Sequence, residues 1–294
     1  MRSFVLVVAA CGSTPPPSPP IPAACNVPVL PLLAKQHTPN PSRLYLAPIT
    51  VAGPKLSIGT PELATTKTGY VNQPAFAGTT LYFTWRPDGG QSDVYAKDLI
   101  ANTERAITCT SEEEYAPAIV GDRVTVVHVQ SDLTTGLATL DGKRLFPAID
   151  KVGSQVWIDA NTVVMFTSGE PTALVRGDLA TGATQSLVTN VGPALAVIPG
   201  TKSISYIDPE HGQLMKLDVA TGATTAIMAL PDDIQQVAWL DGDSLIAGQG
   251  TKLVRARAGD DTWHEVIDLG IGVIQRVVVS PDHTRIAVVA KPAQ

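Results

Sequence analysis

Six times along the chain a short apolar-rich segment, a turn and a second β-rich run follow one another in the same order. The first runs are Gln73–Phe76, Ala116–Ile119, Gln155–Ile158, Ala194–Val197, Gln236–Trp239 and Arg276–Val279. Their partners are Leu81–Thr84, Val124–Val127, Val163–Phe166, Ile204–Ile207, Leu245–Ala247 and Ile286–Val289. Measured at Phe76, Ile119, Ile158, Val197, Trp239 and Val279, the units recur at intervals of 43, 39, 39, 42 and 40 residues. β-rich units at a spacing of about 40 residues are what propeller blades require, because each sheet buries both faces against its neighbours and so needs no covering helices.

Between these units lie further alternating runs joined by Asp- and Gly-containing turns. Leu174–Arg176 and Gln185–Val188 flank Asp178–Gly182, and Leu214–Leu217 and Thr225–Met228 flank Asp218–Gly222, nearly the same hairpin again. Asp opens such turns by accepting hydrogen bonds from the backbone, and Gly closes them at positive φ. Each unit is therefore expected to hold four strands, a to d. The sixth supplies only strand a near Val279 and strand b near Val288 before Gln294. Residues 42–68 carry two unassigned β-like runs, Arg43–Leu46 and Lys55–Thr66, which would serve as its c and d strands and cover an edge otherwise open to aggregation. The expected fold is all-β, a six-bladed β-propeller of four-stranded blades over residues 42–294, its sixth blade completed by N-terminal strands.

The run Ser280-Pro281-Asp282-His283-Thr284-Arg285-Ile286-Ala287 resembles the a-to-b hairpin of the TolB-like propeller repeat, commonly Ser-Pro-Asp-Gly-Lys followed by two apolar residues. Gln73-Pro74-Ala75-Phe76 and the paired Asp-x-Ala-Thr-Gly turns fit the same repeat, so the resemblance covers residues 70–290. It implies an interaction module of the bacterial cell envelope. TolB's separate N-terminal α/β domain is not expected here.

The N-terminus carries its own signal. Arg2 and the apolar run Phe4–Ala10 have the layout of an export sequence, and Val8-Ala9-Ala10-Cys11 resembles the bacterial lipobox. That resemblance makes residues 1–10 a signal peptide and Cys11 the lipidated first residue of the mature chain. The absence of Asp at Gly12 implies the outer membrane. From Thr14 to Pro41 there are ten prolines in 28 residues, too few apolar side chains to pack a core. Residues 11–41 are thus expected to be an extended tether. No apolar run approaches the ~20 residues needed to cross a bilayer as a helix, so membrane attachment is expected through the lipid anchor only, on the periplasmic face.

Composition narrows the partners. Only 16% of residues are charged against a usual ~25%, and the net charge of −6 offers no clustered Lys and Arg for nucleic-acid phosphates. Catalytic patterns are also missing: there is no Gly-x-Ser-x-Gly elbow, His-Glu-x-x-His pair, P-loop or Cys-x-x-Cys. Gly270-Ile271-Gly272 lacks the third glycine of a dinucleotide fingerprint, Gln275 standing in its place. Asp241-Gly242-Asp243 falls at an a-to-b turn and reads as turn chemistry rather than a calcium half-loop. The five histidines, His37, His128, His211, His264 and His283, occupy unrelated repeat positions. No catalytic residue, metal site or cofactor is expected. Cys25 and Cys109 remain once Cys11 takes lipid, and an exported setting permits a disulfide between them; two free thiols, or a buried apolar Cys109, are the other readings.

The function these features indicate is a non-enzymatic, lipid-anchored, monomeric envelope propeller that binds another envelope protein or a cell-wall component. The alternative is a propeller enzyme such as a metal-dependent lactonase or lyase. Strand a supplies mainly Gln73, Gln155, Gln236, Gln275 and apolar residues, which favours binding. In an antiparallel blade the d-to-a and b-to-c loops emerge on one face, the a-to-b and c-to-d loops on the other. Glu112, Glu113, Glu114, Glu170, Glu210, Asp232 and Asp233 fall in loops of the first face, where turn formation does not account for glutamate. Glu112, Glu113, Glu114, Tyr115, Asp232 and Asp233 are the residues expected to meet a basic partner or a cation.

Overall fold

The computed structural model describes residues 40–52, 55–260 and 262–292. The expected signal peptide 1–10, Cys11, Cys25 and all but the last two residues of the expected tether 11–41 lie outside the described residues. The described chain folds into antiparallel sheets, one per repeat unit, arranged as the six blades of a β-propeller. Each blade is a meander that begins at its innermost strand, a, and ends at its outermost, d.

The strands a are Tyr70–Ala77, Glu113–Val120, Val152–Trp157, Leu195–Val197, Val237–Trp239 and Val273–Val279. The strands b that follow are buried almost continuously, as in Val163 to Phe166 and Ile286 to Ala290, because a neighbouring blade covers each face. Val127, Leu137, Val163 and Met165 of blades 2 and 3 meet in one such cluster, and Val164, Leu174, Ile204 and Leu217 of blades 3 and 4 in the next. Burying each of these side chains is worth about 1.5–3 kcal/mol. The strands d face the circumference, and Thr184–Thr189 and Thr224–Ala229 are accordingly mostly exposed.

The c-to-d turns form as their sequence dictates. Asp178 Oδ1 accepts the Thr181 backbone N–H and hydroxyl, both at 2.9 Å, and Gly182 follows at φ 72°. Asp218, Thr221 and Gly222 repeat the arrangement. Asp241 Oδ1 likewise accepts the N–H groups of Asp243 and Ser244 at 2.8 and 2.6 Å, so this carboxylate is engaged in its own turn.

Blade 6 closes the ring with both ends of the domain. Strand c is Arg43–Ala52, paired antiparallel with strand b Arg285–Lys291 from Arg43↔Ala290 to Pro48↔Arg285. Lys55–Ile58 continues outward as strand d, and Glu62–Leu63 pairs with the first half of strand c at Tyr45 and Leu46. Leu44 is 1% exposed and packs with Ala64, Val71, Leu81, Phe83, Ala287 and Val289, so the closing strand also joins blade 6 to blade 1.

Blade 2 departs from the others at its rim. Its fourth position shrinks to one bridge, Ala138↔Arg144, flanked by the backbone bonds Thr139 N–H to Lys143 O and Leu145 N–H to Leu137 O. The Arg144 guanidinium lies over Gly136, where a side chain would collide with it, and donates to the carbonyls of Thr135 and Ile149 at 2.9 and 2.8 Å. The chain then turns inward, and Phe146, 2% exposed, packs on Gly177 of blade 3.

Candidate functional site

The six strands a surround an axial channel of about 380 Å³. Four of them carry irregularities beside it, between Asn72 and Ala75, Tyr115 and Ala118, Val152 and Ser154, and Ile274 and Arg276. Gln73 and Ala116 adopt left-handed φ values of 54° and 49°, a conformation costing about 1–3 kcal/mol for residues other than glycine. Hydrogen bonds offset that cost: the Ala116 N–H donates to Gln73 Oε1 and Thr84 Oγ1, both at 3.1 Å.

These contacts belong to a ring of hydrogen bonds that crosses every junction between blades. Gln73 joins blade 1 to Ala116 of blade 2. Gln155 Nε2 of blade 3 donates back to Ala116 O at 3.1 Å, and the Tyr115 hydroxyl donates to Val152 O at 3.3 Å. Ser154 Oγ reaches Pro193 O of blade 4 at 2.9 Å, and Trp239 Nε1 of blade 5 reaches Ser205 Oγ of blade 4 at 2.9 Å. The Val277 N–H of blade 6 donates to Gln236 Oε1 of blade 5 at 2.9 Å, and Arg276 Nε donates to Asn72 Oδ1 of blade 1 at 3.1 Å. Gln73, Gln155 and Gln236, expected to favour binding, thus act as staples. Gln155 Oε1 is further occupied by Thr125 Oγ1 and Trp157 Nε1 at 2.8 and 3.1 Å.

The acidic segment on the first face divides into inward and outward residues. Glu113 is 3% exposed and pairs with Arg86 at 2.8 Å, at the end of strand b of blade 1. Glu114, 4% exposed, accepts the Thr110 hydroxyl at 2.6 Å through Oε1, while Oε2 has no hydrogen-bond partner among the described residues. Glu112 accepts the Ser131 N–H at 2.7 Å and holds His128 Nε2 at 2.7 Å. Asp93 completes the junction, buried and accepting the Thr108 hydroxyl at 3.2 Å. Burial pushes Glu114 up to about 8 and Asp93 up to about 7, each helped by negative neighbours. Glu113 is also raised by burial, with Arg86 opposing the rise. Tyr115 is raised chiefly by burial and then by Glu113. Glu113 and Glu114 therefore lie inside the junction between blades 1 and 2 and offer little surface to a partner. Asp232 and Asp233 are exposed, as are Glu170 and Glu210 on the same face.

Arg276 is not among the residues expected from the sequence to form a site. Three residues before the anchors Phe76, Ile158 and Trp239 stand Gln73, Gln155 and Gln236, and the same offset from Val279 gives Arg276, a charge in the glutamine column. Counting back from the anchors exposes it. Cys109 is disulfide-bonded, and its partner lies outside the described residues. Among the described residues no cluster of three or more His, Cys, Asp or Glu side chains is arranged to hold a metal ion, and no helix is long and apolar enough to cross a membrane.

A ring of six blades, sealed by an N-terminal strand and open along its axis, defines the chain as a six-bladed β-propeller. Within that class it has the fold of the TolB propellers. It superimposes on a TolB candidate from Agrobacterium tumefaciens with a TM-score of 0.63 at 11% identity, over 86% of this chain and 99% of that one. TolB from Acinetobacter baumannii gives 0.54 at 13%, over 85% of this chain and 64% of that one. A chain of a nidogen/laminin complex is as similar in fold, at 0.60 and 13%, over 85% and 98%. No family model and no curated protein matches the sequence.

Proposed function

We propose that the chain is a non-enzymatic binding module of the bacterial cell envelope, monomeric, tethered through a lipidated Cys11 to the periplasmic face of the outer membrane. Its partner is another envelope protein or a cell-wall component, met on the face of the d-to-a and b-to-c loops. The observation that carries this reading is the exposed acidic rim of that face, Glu170, Glu210, Asp232 and Asp233, mounted on a ring whose blades are stapled at every junction. A rigid scaffold presenting one sign of charge favours a basic partner and acts mainly on association rate and salt sensitivity. Glu112 takes part at the edge of the rim, whereas Glu113, Glu114 and Tyr115 support the loop from beneath.

The test is capture from detergent-solubilised envelope by the full chain and by a variant carrying E170Q, E210Q, D232N and D233N. Capture should weaken in the variant and in high salt, with thermal unfolding nearly unchanged; undiminished capture by the folded variant removes this face. Mass spectrometry of the mature N-terminus checks the tether, and an unmodified Cys11 in envelope fractions overturns the anchor.

A further inference from the structure

The channel holds a charge that the protein does not neutralise. Among the described residues lining it, Arg276 is the single charged side chain. Its Nε is committed to Asn72 Oδ1. Nη1 and Nη2 have no hydrogen-bond partner among the described residues, and the side chain that carries them lines the channel. No carboxylate forms an ion pair with Arg276 among the described residues; burial, the largest influence, works against its charge, and the phenol of Tyr70 works for it. A guanidinium cannot shed its charge to relieve this situation. A surface arginine finds its counterion in solvent, whereas this one is half-buried within a ring of blades.

The other polar side chains of the wall, Gln73, Ser154, Gln155 and Gln236, are engaged in hydrogen bonds to neighbouring backbone, and the remaining side chains are apolar. Phe76, Ile119, Val197 and Val278 are half-buried and line the channel, as do the buried Trp157 and Trp239. Val278 lies two residues beyond Arg276 on the same strand, about 7 Å toward the opposite face. The channel is therefore amphipathic along its axis, cationic near its first-face half and greasy beyond. Its volume of about 380 Å³ lies within the range of small-molecule sites, which are mostly apolar with a few placed polar groups.

We propose that the axial channel binds a small amphiphilic monocarboxylate, its head group held by the free edge of the Arg276 guanidinium and its tail against the Phe76, Ile119, Val197 and Val278 wall. The head is planar and singly charged because the two Nη groups form a fork suited to a carboxylate. With no second cation in the wall, a dianion such as phosphate would bring a charge that nothing offsets. The tail is apolar because the polar side chains of the wall are already engaged across the blade junctions, leaving the apolar ones to meet it. The site is separate from the acidic rim, carries the opposite charge and does not depend on the partner reading.

Octanoate is the probe, titrated into the 15N-labelled full chain. The indole N–H signals of Trp157 and Trp239 should shift, while those of Trp85 and Trp263, outside the channel, should not. Octanamide, which keeps the tail without the charge, should bind about tenfold more weakly, and acetate, which keeps the charge without the tail, at least tenfold more weakly. R276Q retains a donor for Asn72 and should bind octanoate and octanamide alike. Equal binding of the two ligands by the unsubstituted chain overturns the proposal without needing any variant to fold. So do an R276Q protein that holds octanoate as tightly as the parent, shifts confined to Trp85 and Trp263, or no shift at millimolar octanoate. The rim variant with E170Q, E210Q, D232N and D233N should keep its octanoate affinity, which separates a failure here from a failure of partner capture.

Discussion

Raising the pH should weaken the junction between blades 1 and 2, and Glu114 is the residue that should report it. Its carboxyl group is 4% exposed, and one of its oxygens has no hydrogen-bond partner among the described residues. Burial raises its pKa from 4.5 to about 8, so between those values the folded chain holds a proton that the unfolded chain has released. The stabilisation is fully present below about pH 4.5 and is lost as the pH rises through about 8. At ~1.4 kcal/mol per pH unit the ceiling is about 5 kcal/mol. Water entry and relaxation around the ionised carboxylate take much of that back, leaving an expected loss of about 1–3 kcal/mol. For a domain of this size that is a fall in Tm of roughly 2–10 °C between pH 5 and pH 9. Asp93, pushed up to about 7, adds in the same direction. The assay is thermal unfolding followed by circular dichroism at five pH values, for the parent and for E114Q, whose amide oxygen can still accept the Thr110 hydroxyl. The substituted protein should show a shallower slope and exceed the parent in stability at pH 9. A parent that gains stability from pH 5 to pH 8, or an E114Q protein with the parent's slope, would rule out a protonated Glu114 as the source of the pH dependence.

Three further outcomes test the scaffold. L44A should cost about 2–5 kcal/mol, the range for a fully buried leucine, and deleting residues 42–68 should abolish cooperative unfolding in a calorimeter; a deletion variant with one sharp transition would show that closure does not need them. R86M leaves Glu113 buried without its cation and should destabilise by about 3–5 kcal/mol, measured by urea unfolding near neutral pH, with R86M/E113L recovering most of the loss. Q236L removes the acceptor for the Val277 N–H and should cost about 1–3 kcal/mol, read as a lowered urea midpoint with little change in m.

The fold was legible because propeller blades impose a period: Phe76 through Val279 recur at near-constant spacing, and the Asp-x-Ala-Thr-Gly turns carry their own hydrogen-bonding logic. Residues 42–68 could be assigned to blade 6 for the same reason, since a blade two strands short demands two strands from elsewhere. Blade 2 hid its irregular rim because Arg144, which replaces most of a strand, does so through guanidinium bonds to Thr135 and Ile149 that no periodicity encodes. The site was less legible. Three consecutive glutamates after a loop look like a solvated charge run, and what draws Glu113 inward is Arg86, 27 residues earlier, adjacent only once two blades have packed. The glutamines of strand a were visible, but their work as staples depends on backbone groups of the next blade, which have no sequence signature. Arg276 escaped notice because its neighbour Gln275 seemed to continue the glutamine pattern, one residue out of register.

The closing strand also sets a timetable. Leu44 pairs with Val289, so the innermost half of the last blade and the third strand that extends it are made at opposite ends of synthesis. A chain emerging N-terminus first presents Arg43–Ala52 with no partner until residues 285–291 have followed. Blades 1 to 5 can form in order from local hairpins, but the ring cannot shut before the last strand arrives, and contacts this distant in sequence are slow to form. Until then the face of Leu81 that packs on the closing blade lies open, the state in which a β-rich chain is most prone to aggregate. Under the proposed export, the same delay keeps the chain threadable: a propeller latched by its first strand and its last cannot lock while either is still in transit.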